Sequence, residues 1–163
     1  MPELLNGKEY IRKLVTIAYL NVGFPLLLFI WVYLEVTADL LPSSIDPAYH
    51  LTVFISVLLL SLAIILVGLR KYKLQIMLSG TTDRLTEKLA YYKKGLTARF
   101  VSYAIAAFII TVAYYLTTFR PFEALFGIMI VLFSIHSPNA RRVVAHLKLK
   151  NEDRLIILEG RDF

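Results

Sequence analysis

This chain has no cysteine. Disulfides, thiolate metal sites, cysteine nucleophiles and S-palmitoylation are excluded with it. A second scarcity is positional. From Leu14 to Leu34, Leu51 to Leu69, Phe100 to Phe119 and Ala124 to Ile135 there is no Asp, Glu, Lys, Arg or His. Ionisable groups at membrane depth are costly and usually mark transport or catalysis. Their absence from these runs argues against proton-coupled transporters, di-aspartyl proteases and metal sites within a bilayer. No Gly-rich phosphate loop, nucleophile elbow or His-Glu zinc motif occurs, and the three histidines are too scattered to form a metal cluster.

What is present is apolar residue in long runs. The hydrophobic fraction of 58% exceeds the roughly 45–50% of soluble domains. The runs predict an all-α integral membrane protein of one domain, residues 1–163, with four transmembrane helices at about 14–36, 49–69, 100–119 and 121–136. Amphipathic cytoplasmic helices are expected between spans 2 and 3, at about 82–98, and in the tail, at about 138–158. The first is expected to lie on the membrane surface, on the helical spacing of Leu85, Leu89, Tyr92 and Leu96, with a bend at Gly95. The first run exceeds the h-region of a cleavable signal peptide and fits a retained helix.

Charge gives the direction. Seventeen of the eighteen Lys and Arg residues lie in segments that four spans place on one side, and only Arg120 lies on the other. Those inner segments hold seventeen basic against eight acidic residues, whereas the outer loops hold Arg120 against Glu35, Asp39, Asp46 and Glu123. Positive charge is retained on the cytoplasmic side, so both termini are expected inside. The net charge of +6 is thus a topology signal, which argues against nucleic acid as a partner. It also predicts attraction to anionic phospholipid, about 1 kcal/mol per basic residue near the surface.

Local signals refine this plan. Pro25, mid-span, is expected to kink the first helix, because it lacks an N–H and clashes with the Asn21 carbonyl. Asn21 itself is expected to hydrogen-bond backbone or a neighbouring helix rather than a substrate. Asp46-Pro47 and Ser137-Pro138 read as cap and first-turn pairs. Span four is short, about 22 Å of rise for fifteen residues. A shift of 81 residues aligns Tyr10-Ile11-Arg12-Lys13 with Tyr91-Tyr92-Lys93-Lys94. Two inward-to-outward helices with basic leads also look this similar without duplication.

Arg141-Arg142-Val143-Val144-Ala145-His146 contains Arg-x4-His, which resembles the short active-site signature of HEPN-type ribonucleases. That resemblance implies His146 as acid or base and Arg141 as the stabiliser of a phosphorane. It covers six residues, the usual soluble bundle is missing, and the spacing puts the two side chains about 140° apart on one helix. A basic amphipathic helix is the preferred reading.

The functional expectation is a non-enzymatic subunit or scaffold of a bacterial inner membrane, without cofactor, catalytic residue or metal. Its spans would pack against a membrane protein partner or further copies of itself. Arg70, Lys71, Lys73, Lys88, Lys93, Lys94, Arg99, Arg141 and Arg142 would contact protein or anionic lipid. Asn21 and Pro25 are the polar and kinked points of the first span. The alternatives are a small homo-oligomeric channel or transporter and a membrane-tethered ribonuclease-like enzyme using Arg141 and His146.

Overall fold

A computed structural model describes residues 6–161. Six α-helices occur: α1 (Gly7–Thr37), α2 (His50–Ser79), α3 (Leu85–Thr117), α4 (Pro121–Ile135), α5 (Ala140–Leu147) and α6 (Asn151–Glu159), with no strand among the described residues. A short 3₁₀ turn, Pro47–Tyr49, precedes α2. Asp46 caps that turn, its carboxylate accepting from the Ala48 N–H at 2.8 Å, with Pro47 in the first position as the sequence suggested. Three helices, α1, α2 and α3, are long and apolar enough to cross a membrane. A fourth crossing exists only if α4 and α5, bent by 76° at the break between them, count as one span.

The helices run up, down, up and down around α3. Half of the most apolar window of α3 is buried, against 17% for α1 and 11% for α2 with its leading turn, so α3 is the axis of the bundle. The buried residues of α2 are Ser61, Gly68 and Ser79, all small. Small side chains let helix backbones approach where no hydrophobic drive operates between helices. At Gly68 an added Cβ would fall 2.5 Å from the Ser102 Cβ of α3. At Gly95 it would fall 3.0 Å from the Gln75 Cβ and 3.2 Å from the Tyr72 ring of α2. Each helix therefore offers one glycine to the other. Ala106 and Ala107 are also fully buried.

This packing corrects the expected surface helix. Residues 85–99 continue into the third span as one helix, with no break at Gly95. At about 1.5 Å per residue, α2 and α3 are about 45 and 50 Å long and outreach a hydrocarbon core of about 30 Å. Their shared excess forms an antiparallel pair beside the α2–α3 turn, and Leu89, Tyr92 and Leu96 are buried in it rather than exposed along one face. A helix that finds a partner for its apolar stripe has no need of a membrane surface.

The first helix likewise begins before its span, at Gly7, with Asn6 capping it by accepting from the Glu9 N–H at 2.9 Å. It is unbroken at Pro25. Asn21, whose carbonyl the proline leaves unpaired, turns its side-chain amide back to the Ile17 carbonyl at 2.8 Å. That is the backbone contact expected of it. Ser56, Ser102 and Thr111 also donate to carbonyls four residues earlier in their own helices.

α1 and α3 run parallel and in register. The Tyr10 hydroxyl donates to the Leu89 carbonyl at 2.8 Å, and the Trp31 and Tyr115 rings stack 6.5 Å apart at the other end. The two basic leads, Arg12-Lys13 and Lys93-Lys94, therefore stand side by side. Near the C-terminal ends of α1 and α3, α4 joins through Phe29 and Phe126, whose rings stack at 3.8 Å, and through the Tyr114 hydroxyl donating to Glu123 at 2.8 Å. α4 then returns the chain to the end where α1 began. There α6 packs on α1, with the Gly7 N–H donating to the Arg161 carbonyl at 2.9 Å. Gly7 itself has no room for a side chain beside Ile156. Gly160, in the left-handed conformation at φ 72°, closes α6. Asn139, not Ser137-Pro138, caps α5, accepting from the Arg142 N–H at 2.8 Å.

Candidate functional site: the arginine-capped end of the bundle

Register decides the character of Arg99. Lys93 lies level with Lys13, so Arg99 stands about 9 Å further along α3, next to its apolar run. It is 4% exposed. The expectation that it belongs to a contact surface is corrected: it is a buried cation, and arginine stays protonated in proteins. Among the described residues no carboxylate is paired with it.

Its compensation comes from the end of α4. One Nη donates to the His136 carbonyl at 3.2 Å, and the guanidinium lies 4.1 Å from the centre of the Tyr72 ring. Arg142 reaches the same turn, donating to the Ile135 carbonyl at 2.5 Å and the Ser137 carbonyl at 2.6 Å. The last carbonyls of a helix carry about half a negative charge and lack intrahelical partners. The fifteen-residue α4 ends beside Arg99 and Arg142, and the two arginines neutralise that end. The cation–π contact adds about 0.5–2 kcal/mol. The Arg99 Nε keeps no partner.

Two histidines complete the cluster. His136 is the C-cap of α4. Its Nδ1 lies 2.8 Å from the Leu132 carbonyl and 3.3 Å from the Tyr103 hydroxyl. His146, on α5, hydrogen-bonds Tyr72 of α2 through Nδ1 at 2.9 Å and lies along the ring of Tyr92 on α3, centroids 6.1 Å apart. Partial burial holds its pKa below the ordinary 6.5, and the positive charges of Arg99 and Arg142, with His136, push the same way. The group is cationic and aromatic, drawn from α2, α3, α4 and α5.

The arginines facing His146 are thus Arg99 and Arg142. Arg141 is exposed, and the structure does not bring it to His146 as the ribonuclease-like signature requires. His50, the first residue of α2, lies at the opposite end, between Ser43 and the Ile45 carbonyl. Among the described residues no three His, Cys, Asp or Glu side chains are grouped to hold a metal.

The remaining basic residues divide by exposure. Arg70, Lys71, Lys73, Lys94 and Arg141 are exposed, while Lys88, Lys93 and Arg142 are half-buried. Lys88 lines an open groove of about 470 Å³ with Lys148, Lys150, Glu152 and Asp153. Lys93 lines another of about 420 Å³ with Glu9, Arg12, Lys13, Thr16 and Ile17. Pro25 is buried and Asn21 half-buried.

The aromatic–arginine cluster escaped sequence reasoning. Tyr72, Arg99 and His146 are far apart in the chain, and each alone reads as an interfacial residue. The one available signal was the shortness of span four, whose open end had to be capped by something. No protein-family model, curated protein or solved structure matches the chain.

Proposed function

We propose that this protein is a four-span subunit or scaffold of a bacterial inner membrane, non-enzymatic, with both termini in the cytoplasm. Its spans pack against a membrane protein partner or further copies of itself, and its inner end presents a basic surface to protein or anionic phospholipid. The observation that carries this reading is the closure of the inner end. Gly7 is tied to Arg161 and Tyr72 to His146, both at 2.9 Å. The start of α1, the inner ends of α2 and α3, and the helices α5 and α6 thereby become one platform, with Arg70, Lys71, Lys73, Lys94 and Arg141 on its exterior. An ordered platform suits docking, since the entropy of ordering it is already lost before a partner arrives. The outward faces of α1 and α2 support the membrane part: Leu20, Phe24, Leu27, Leu59, Leu62 and Leu66 are all exposed. The chain's return to the end where it began supports an even number of crossings.

The test is purification of the intact protein from its membrane in native nanodiscs, with mass spectrometry of what accompanies it. A stoichiometric membrane protein or a defined homo-oligomer is the expected result. A monomer with no companion, whose removal of residues 70–99 and 137–161 produces no phenotype, would refute the reading.

A further inference from the structure

We infer that the crevice between α1 and α3 is a binding site for an anionic glycerophospholipid of the inner leaflet, its phosphate held by Arg12, Lys13 and Lys93. The inference deepens the proposed function and rests on its membrane orientation. Three observations converge on it.

The first is a concave site with the right charge at the right depth. The groove of about 420 Å³ lies where the basic leads of α1 and α3 stand side by side, at the inner limit of the apolar runs. Its three cations come from two helices. Glu9 is its carboxylate and is bonded to Lys13 at 2.9 Å. Among the described residues no carboxylate is paired with Arg12 or Lys93. The Thr16 side chain lies at the groove's apolar edge with Ile17.

The second observation is where the groove leads. Leu20 and Phe24 lie seven and eleven residues beyond Lys13 on α1, about two and three turns, and so share its helix face. They fall within about the depth of one leaflet from it, and they are 69% and 67% exposed.

The third is the composition of the crevice along its length. Charge is confined to one end, and apolar surface follows over the depth of a leaflet. A phosphate with an acyl chain matches that order. A soluble phosphate would leave the apolar part uncovered, and an uncharged lipid would leave the cations unmatched.

The full-length protein, delipidated in mild detergent, would be titrated with phosphatidylglycerol and with phosphatidylcholine and read by native mass spectrometry. Tight, stoichiometric retention of phosphatidylglycerol is expected, with weaker retention of phosphatidylcholine. The double variant Arg12→Gln/Lys93→Gln is expected to lose roughly tenfold or more in affinity, on about 1 kcal/mol per basic residue. Lys148→Gln/Lys150→Gln removes the same charge outside the groove and is expected to retain the lipid. Equal losses in the two double variants would overturn the groove while leaving a diffuse basic surface intact. No preference for phosphatidylglycerol in the unaltered protein would overturn both the groove and the lipid part of the proposed function. Displacement of the lipid by an equal concentration of glycerol 3-phosphate would overturn the assignment to a lipid. Leu20→Ala/Phe24→Ala, which alters no charge and faces outward, is expected to weaken retention, and unaltered retention would overturn the acyl-chain part.

Discussion

Tyr72 and His146, 74 residues apart in the chain, meet at 2.9 Å and pin α5 to α2. Among the described residues the titratable groups that act on the His146 ring are Arg99 on α3, Arg142 on α5 and His136 at the end of α4, and the Tyr72 and Tyr92 rings pack beside it.

A pH dependence follows from this contact. The His146 pKa lies below its ordinary 6.5, through burial first and then through neighbouring positive charge. The folded state thus prefers the neutral ring. Its stabilising contribution is complete above about pH 6.5 and declines as pH falls through the depressed folded value. The thermal midpoint in detergent should drop between pH 7.5 and 5.5, and drop less in His146→Gln. Equal drops in both proteins would remove His146 as the cause.

Arg99 should be indispensable to the inner end. Arg99→Met is expected to cost about 1–3 kcal/mol, since the His136 carbonyl loses a partner in a buried place. Arg99→Lys should recover part of the loss, because an ammonium retains the attraction to the end of α4 but not the planar fork or the stacking on Tyr72. Thermal denaturation of the three proteins in one detergent decides this. A Met variant as stable as the parent would refute the capping role.

The two glycines of the α2–α3 contact should be intolerant of side chains. Gly68→Val drives a methyl into Ser102 and Gly95→Val meets Gln75 and Tyr72. Each is expected to lower stability by about 1–3 kcal/mol, the usual cost of overpacking. Gly23, with open space around it, serves as the control, and Gly23→Ala should be neutral or slightly stabilising. Midpoints measured on the four proteins test the distinction.

The absence of cysteine makes membrane orientation directly measurable. Leu40→Cys in the α1–α2 connection, Thr81→Cys in the α2–α3 turn and Glu152→Cys in α6 place single thiols at exposed positions. An impermeant maleimide should label the first in intact cells and the other two only after permeabilisation. Labelling of Glu152→Cys in intact cells would mean that α4 does not return the chain across the membrane.

Much of this protein is legible in its sequence because a bilayer is a simple solvent. Runs of apolar residues must become helices, since no water is there to bond the backbone. The segments with α1, α2, α3 and α4, the caps at Asp46 and Gly160, and the backbone contact of Asn21 all follow from local chemistry. What local chemistry leaves open is which apolar stripe meets which. The stripe through Leu89, Tyr92 and Leu96 suits a membrane surface as well as another helix, and only the approach allowed by Gly68 and Gly95 selects α2. The role of Arg99 was hidden for the same reason. Its neighbours in sequence are basic and aromatic, as at any membrane interface. Its partners, Tyr72 and the carbonyl end of α4, are brought to it only when the chain has turned back at Pro121 and stopped short at His136. A buried charge is compensated by whatever lies within a few ångströms in space, and tertiary structure alone decides what that is.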